Sequence, residues 1–176
     1  MVSSKILVVT IIITLTIITP YLYKFYIQEF TSIEKYGILF RFRKPYIEAL
    51  GIKVNHDLSK LFLNKNLSKI YLFIVNESEW QNLTAIGYFD IVNKLTMFYN
   101  LNNYTLTLSP KIVEKYEDLT KYKIEENEVG IVFVDPRNSE RTEIFVKNNL
   151  VFLKYKNKND FDKVLIKFII SALKLI

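Results

Sequence analysis

The sequence predicts an α/β or α+β domain, a mixed sheet covered by helices, carried behind one N-terminal transmembrane helix. Three observations point there. An uncharged run extends from Ile6 to Tyr23. Two later runs, Ile70–Val75 and Val129–Val134, are apolar without alternation, as in central strands buried on both faces. The C-terminal third then reads as a β-hairpin followed by an amphipathic helix.

The leading run comes first in the chain. Its 18 residues would rise about 27 Å as a helix, close to the roughly 30 Å hydrocarbon thickness of a bilayer. Thr10, Thr14, Thr16 and Thr19 can bond back to their own helix, so lipid tolerates them. Tyr21, Tyr23 and Tyr26 with Lys24 supply the interfacial aromatics and a snorkelling lysine. A cleaved signal would end in small residues, and "IITPYLY" does not. The chain therefore divides into a signal-anchor at 1–24, a juxtamembrane segment at 25–45 that merges into the domain, and a single α/β domain at 46–176. Residues 6–23 make the lipid bilayer the first expected partner.

Two signals conflict on orientation. Lys24, Lys35, Arg41, Arg43 and Lys44 follow the span, which favours a cytoplasmic domain. Sequons at Asn66, Asn76, Asn82 and Asn103 oppose it, four where about two are expected by chance. They matter only outside the cytoplasm. With a plain signal-anchor layout as well, the expectation is an extracytoplasmic domain and a candidate glycoprotein.

Within the domain, "ILFRFRK" alternates as a strand with Arg41 and Arg43 on one side, ended by Pro45. "PYIEALGI" reads as a short helix closed by Gly51. After the strand at Ile70–Val75, helical spacing links Ala85, Tyr88, Phe89, Val92, Leu95 and Tyr99 as a buried stripe. "YTLTL" reads as a short strand. Ser109-Pro110 then predicts a helix start, with Ile112, Val113, Tyr116 and Leu119 as its apolar face. In "TEIFVKNNLVFLKY", a mirror-image turn at Asn148-Asn149 sets the register: Val146 opposite Val151, Phe145 opposite Phe152, Ile144 opposite Leu153, Glu143 opposite Lys154. The last helix is expected to be capped by Asn159. It should bury Phe161, Leu165, Phe168, Ile169, Ala172 and Ile176, and wet Lys163, Lys167 and Lys174.

The chemistry is sparse. There is no cysteine, so disulfides, thiolate metal sites and thiol nucleophiles are excluded. The four glycines are too scattered for a phosphate-cradling loop. The one histidine, His56, reads as a surface turn residue, and "EENE" as a solvated connection. No catalytic residue, metal site or cofactor is expected. The best candidate for ligand binding is "VDPRNSERTE", which leaves the C-terminal end of a covered strand with Asp135, Arg137, Ser139 and Arg141. Two arginines there could grip a carboxylate or phosphate.

A net charge of +6 suits anionic partners without identifying one. No nucleic-acid module accompanies it, so nucleic acid is not expected as a partner. The expected role is a non-catalytic envelope or interaction component with protein partners in the membrane or envelope. The alternatives are a tethered enzyme using Asp135–Arg141 and a cytoplasm-facing module for anionic lipid or nucleic acid.

Overall fold

The computed structural model of the chain describes residues 30–43 and 46–176. The expected anchor, residues 1–24 with its bilayer-spanning 6–23, lies outside the described residues. No helix among the described residues is long and apolar enough to cross a membrane.

The chain enters as an antiparallel hairpin, β1 (Phe30–Lys35) and β2 (Ile38–Arg43). Its turn, Tyr36-Gly37, has both φ angles positive, the mirror-image geometry that matches strand twist. Alternation in β2 buries Ile38, Phe40 and Phe42 in the main core and leaves Leu39 and Arg41 outside. The short helices α1 (Tyr46–Leu50) and α2 (Ser59–Phe62) flank the two-residue strand β3 (Lys53–Val54).

Five further strands follow: β4 (Lys69–Val75), β5 (Thr107–Val113), β6 (Glu128–Val134), β7 (Glu143–Lys147) and β8 (Leu150–Lys154). With β3 they form one mixed sheet of order β3-β7-β8-β6-β4-β5. β8, β6, β4 and β5 run parallel; β7 is antiparallel to β8 and β3 parallel to β7. The long helices α3 (Gln81–Leu101) and α4 (Lys158–Ala172) cover one face. The fold is thus α/β, with a mixed sheet covered by helices and a C-terminal helix.

The pleat sorts side chains between two cores. Ile70, Leu72, Val129, Ile131, Phe133, Val151 and Leu153 face the helices. Phe73, Val75, Val132 and Leu150 face the other way, under Leu119 of a 3-10 helix (Tyr116–Lys121). Gly87 lets α3 approach closely: a Cβ there would stand 2.6 Å from Phe161 Cζ and 2.7 Å from Phe133 Cζ.

The hairpin register is the predicted one in all four pairs. Asn148 and Asn149 both take positive φ, and Lys154 Nζ lies 3.2 Å from Glu143 Oε1. Other expectations need correction. Ser109-Pro110 does not start a helix but sits inside β5, and helical turns begin only at Tyr116. β5 is an edge strand, where alternate N–H groups have no partner and proline is tolerated. Ile112 consequently points to solvent.

The buried face of α3 is rotated from the predicted one. Gly87, Tyr88, Ile91, Leu95, Phe98 and Tyr99 are inside, while Ala85 and Phe89 are exposed. The helix carries apolar residues on two sides, so periodicity alone cannot choose. The cap of α4 is Asn157, whose side chain accepts from the Asp160 amide, not Asn159. Ile176 is exposed, because Lys174 adopts a left-handed conformation and the Leu175 amide turns back to the Ile170 carbonyl. That is a Schellman ending, and it buries Leu175 instead.

Candidate functional site

β4 leads through α3 outward to β5, whereas β6 leads toward β7 and β8. The C-terminal ends of β4 and β6 therefore form a topological switch point, where α/β sheets ordinarily take ligands. β4 pairs with β5 as far as Val75, but its pairing with β6 stops at Phe73 opposite Val132. Past that point the two strands have no ladder between them.

Tyrosines fill the gap. The Tyr88 hydroxyl, from α3, lies 2.5 Å from the Phe73 carbonyl and 3.0 Å from the Ile131 carbonyl, so its one proton serves both strands. The Tyr116 hydroxyl donates to the Phe133 carbonyl at 3.1 Å and accepts from the Asp135 amide at 3.1 Å. Burial raises the Tyr88 hydroxyl well above its ordinary value. Burial also pushes Tyr116 up to about 12, with the Asp135 amide opposing and the Asp135 charge adding to the rise. Tyr155, just past β8, is fully buried; burial raises it too, helped by Tyr116 and Asp135. All three remain neutral phenols near neutral pH.

Asp135 leaves β6 directly into this cluster and is fully buried. Its Oδ1 accepts from Asn138 Nδ2 at 3.2 Å. Its Oδ2 has no hydrogen-bond partner, and neither does the buried Tyr155 hydroxyl. Arg137 Nη2 stands 3.8 Å from Oδ2, close enough for charge attraction but too far for a hydrogen bond.

The guanidinium of Arg137 is used elsewhere. Nη1 meets Glu79 Oε1 at 2.8 Å and Nη2 donates to the Glu77 carbonyl at 2.8 Å. Glu77 Oε1 in turn accepts from the Tyr116 amide at 3.1 Å. The connections after β4, β5 and β6 are thereby laced together over Asp135.

The four expected ligand-binding residues fall in two places, Asp135 with Arg137 and Ser139 with Arg141. Asp135 lies beneath this clasp and Arg137 forms part of it. The Ser139 hydroxyl, buried, donates to the Arg141 carbonyl. Arg141 is exposed and lines, together with Ser139, a separate cleft of about 390 Å³ whose other walls are Asn138, Glu140, Glu143 and Lys154. Arg137 is not among the residues that line this cleft.

The remaining sequence candidates are on the surface. His56 is exposed; neighbouring Asp57 is engaged by Ser59, whose hydroxyl hydrogen bond holds the carboxyl below its usual range. No group of three His, Cys, Asp or Glu side chains among the described residues could hold a metal. Asn66, Asn76, Asn82 and Asn103 are all exposed.

Sequence reasoning missed Tyr88, Tyr116 and Tyr155 as site residues. Tyr88 and Tyr116 were legible only as members of apolar stripes, and nothing in the spacing marks their hydroxyls. No family model, curated protein or solved structure matches this chain.

Proposed function

We propose that the chain is a single-pass membrane protein that presents its α/β domain outside the cytoplasm as a non-catalytic envelope or interaction component. The observation that carries the non-catalytic part is the closed switch point. Where a sheet of this kind ordinarily opens to a ligand, the Tyr88 hydroxyl bridges β4 and β6, the Tyr116 hydroxyl holds the end of β6, and Arg137 ties the loops together. The uncharged run Ile6–Tyr23 supports the anchor, and four exposed sequon asparagines are compatible with an external domain. The test is alkaline carbonate extraction of membranes, followed by protease added to intact cells. The chain should stay in the pellet and lose its domain to external protease. Release by carbonate overturns the anchor, and protection from protease overturns the orientation.

One observation favours a second reading, a tethered enzyme or ligand-binding domain. A fully buried carboxyl group with one oxygen lacking a hydrogen bond is costly to a fold, and such cost often accompanies function. In this reading the Arg137–Glu79 clasp opens to admit the ligand. Asp135→Asn separates the two. A more stable variant favours function at the expense of stability; a less stable one favours a structural carboxylate held by Asn138 and Arg137. The cytoplasmic basic-module reading has less support. Lys163 bridges Glu48 and Asp160, and Lys167 donates to the Leu50 carbonyl, so two C-terminal lysines already have local partners.

A further inference from the structure

Between the β1–β2 hairpin, α3 and α4 lies an open groove of about 310 Å³, lined by Phe30, Phe42, Ile86, Phe89, Leu165 and Ile166. Phe89 is 70% exposed and Ile86 62%. Two large apolar side chains of one helix, one turn apart, thus stand in water at the lip of an apolar trough. Ile47 is more exposed still, next to Tyr46, whose ring meets Phe42. Large apolar side chains exposed beside a groove with an apolar floor are the kind of surface that marks an interaction site.

The position of the groove along the chain indicates what covers it. Phe30, the first described residue, is part of its wall. Tyr23, the last residue of the uncharged run, is seven residues earlier, and seven extended residues reach at most about 25 Å. On the anchor reading above, on which this inference rests, the groove is therefore confined to the neighbourhood of the lipid headgroups.

We propose that this face of the domain docks on the bilayer that holds its own anchor, with Phe89 and Ile86 inserted into the interfacial zone. Aromatic and aliphatic side chains partition there readily. The tether makes docking intramolecular, so a small contact is enough to be occupied. The charged groups of the groove are balanced: Arg41 and Lys94 against Asp90 and Asp162, with Lys94 already paired to Asp90. The contact is consequently apolar, not a headgroup-phosphate site, and should not depend on lipid charge.

The absence of cysteine allows single probes to be placed in the full chain. Phe89→Cys and Ile86→Cys, with Glu117→Cys on the opposite face as the control, would each carry a polarity-sensitive fluorophore. The labelled chains would be reconstituted in phosphatidylcholine vesicles containing nitroxide-labelled lipid. Quenching should be several-fold stronger at positions 89 and 86 than at 117. It should be unchanged in about 0.5 M salt, which screens exposed charges beyond a few ångströms, and unchanged when phosphatidylserine is added. A chain that floats with the vesicles but is quenched equally at 89 and 117 overturns the docking and leaves the anchor standing. A chain that does not float overturns both. Quenching that requires phosphatidylserine overturns the apolar contact in favour of headgroup recognition. Energy transfer between two chains labelled at 89, persisting on dilution with excess lipid, overturns it in favour of a second copy as the occupant.

Discussion

The two faces of the six-stranded sheet are covered in different ways. On one, α3 and α4 lay down long buried stripes, and β2 adds Ile38, Phe40 and Phe42 to the same core. On the other, Phe73, Val75, Val113, Val132 and Leu150 are roofed by Leu119 and the chain after it, with Tyr71, Tyr116, Ile124 and Phe152 around the margin. The first cover is two rigid cylinders. The second is one 3-10 helix and an irregular strap. A long helix distributes its contacts and resists collapse around a lost side chain, while a strap can settle into the gap.

That contrast orders the expected effects of substitution, measured by denaturant unfolding of the full chain. Phe168, fully buried and edge-on to Phe62, should be the most costly: Phe168→Ala is expected to lose about 3–5 kcal/mol. Leu119→Ala, under the strap, should lose less, about 2–3 kcal/mol. Equal losses at the two positions would show that the strap is as unyielding as the helices.

Tyr116→Phe removes a hydroxyl that bonds both the Phe133 carbonyl and the Asp135 amide, and is expected to cost about 1–2 kcal/mol. It also sharpens the pH dependence. Tyr116 keeps its proton in the fold up to about 12, above the ordinary value of 10.0, as Tyr88, Tyr99 and Tyr155 also do to a raised degree. The unfolded chain therefore loses protons first as pH rises, and stability present below pH 10 declines above it. The decline should be shallower between pH 10 and 12 in Tyr116→Phe; an unchanged slope would mean the hydroxyl is not buried. The smallest effect expected is at the α4 cap. Asn157→Ala should cost about 1 kcal/mol and Asn159→Ala less than about 0.5 kcal/mol, and the reverse order would move the cap.

The same contrast explains what could be read from the chain. The β7–β8 hairpin was legible because two adjacent asparagines supply the positive φ its turn demands, and one register then satisfies every cross-strand pair. Most of the α4 core face was legible because lysines mark its wet side. Residues 109–113 were not. Ser-Pro is a helix start by local chemistry, but tertiary pairing of Thr107–Val113 with Lys69–Val75 outweighs it. The face of α3 was misread because Ala85, Ile86 and Phe89 form a second apolar side, which the fold leaves outside.

At the candidate site, Asp135 was legible as the polar residue ending an apolar strand. Its surroundings were not, since Tyr88, Tyr116 and Tyr155 come from three distant segments that meet only when the sheet assembles. The use of Arg137 as a tie to Glu79 and to the Glu77 carbonyl is likewise a property of two loops folded against each other.

Both margins of the six-stranded sheet are ill-suited to receive a strand from another molecule. At one, β3 is only two residues long. At the other, Pro110 and Lys111 stand in the middle of β5, where a missing donor and a positive charge interrupt any incoming ladder. That blunting opposes edge-to-edge polymerisation of the domain and leaves side-chain surfaces, not backbone, for any contact between copies.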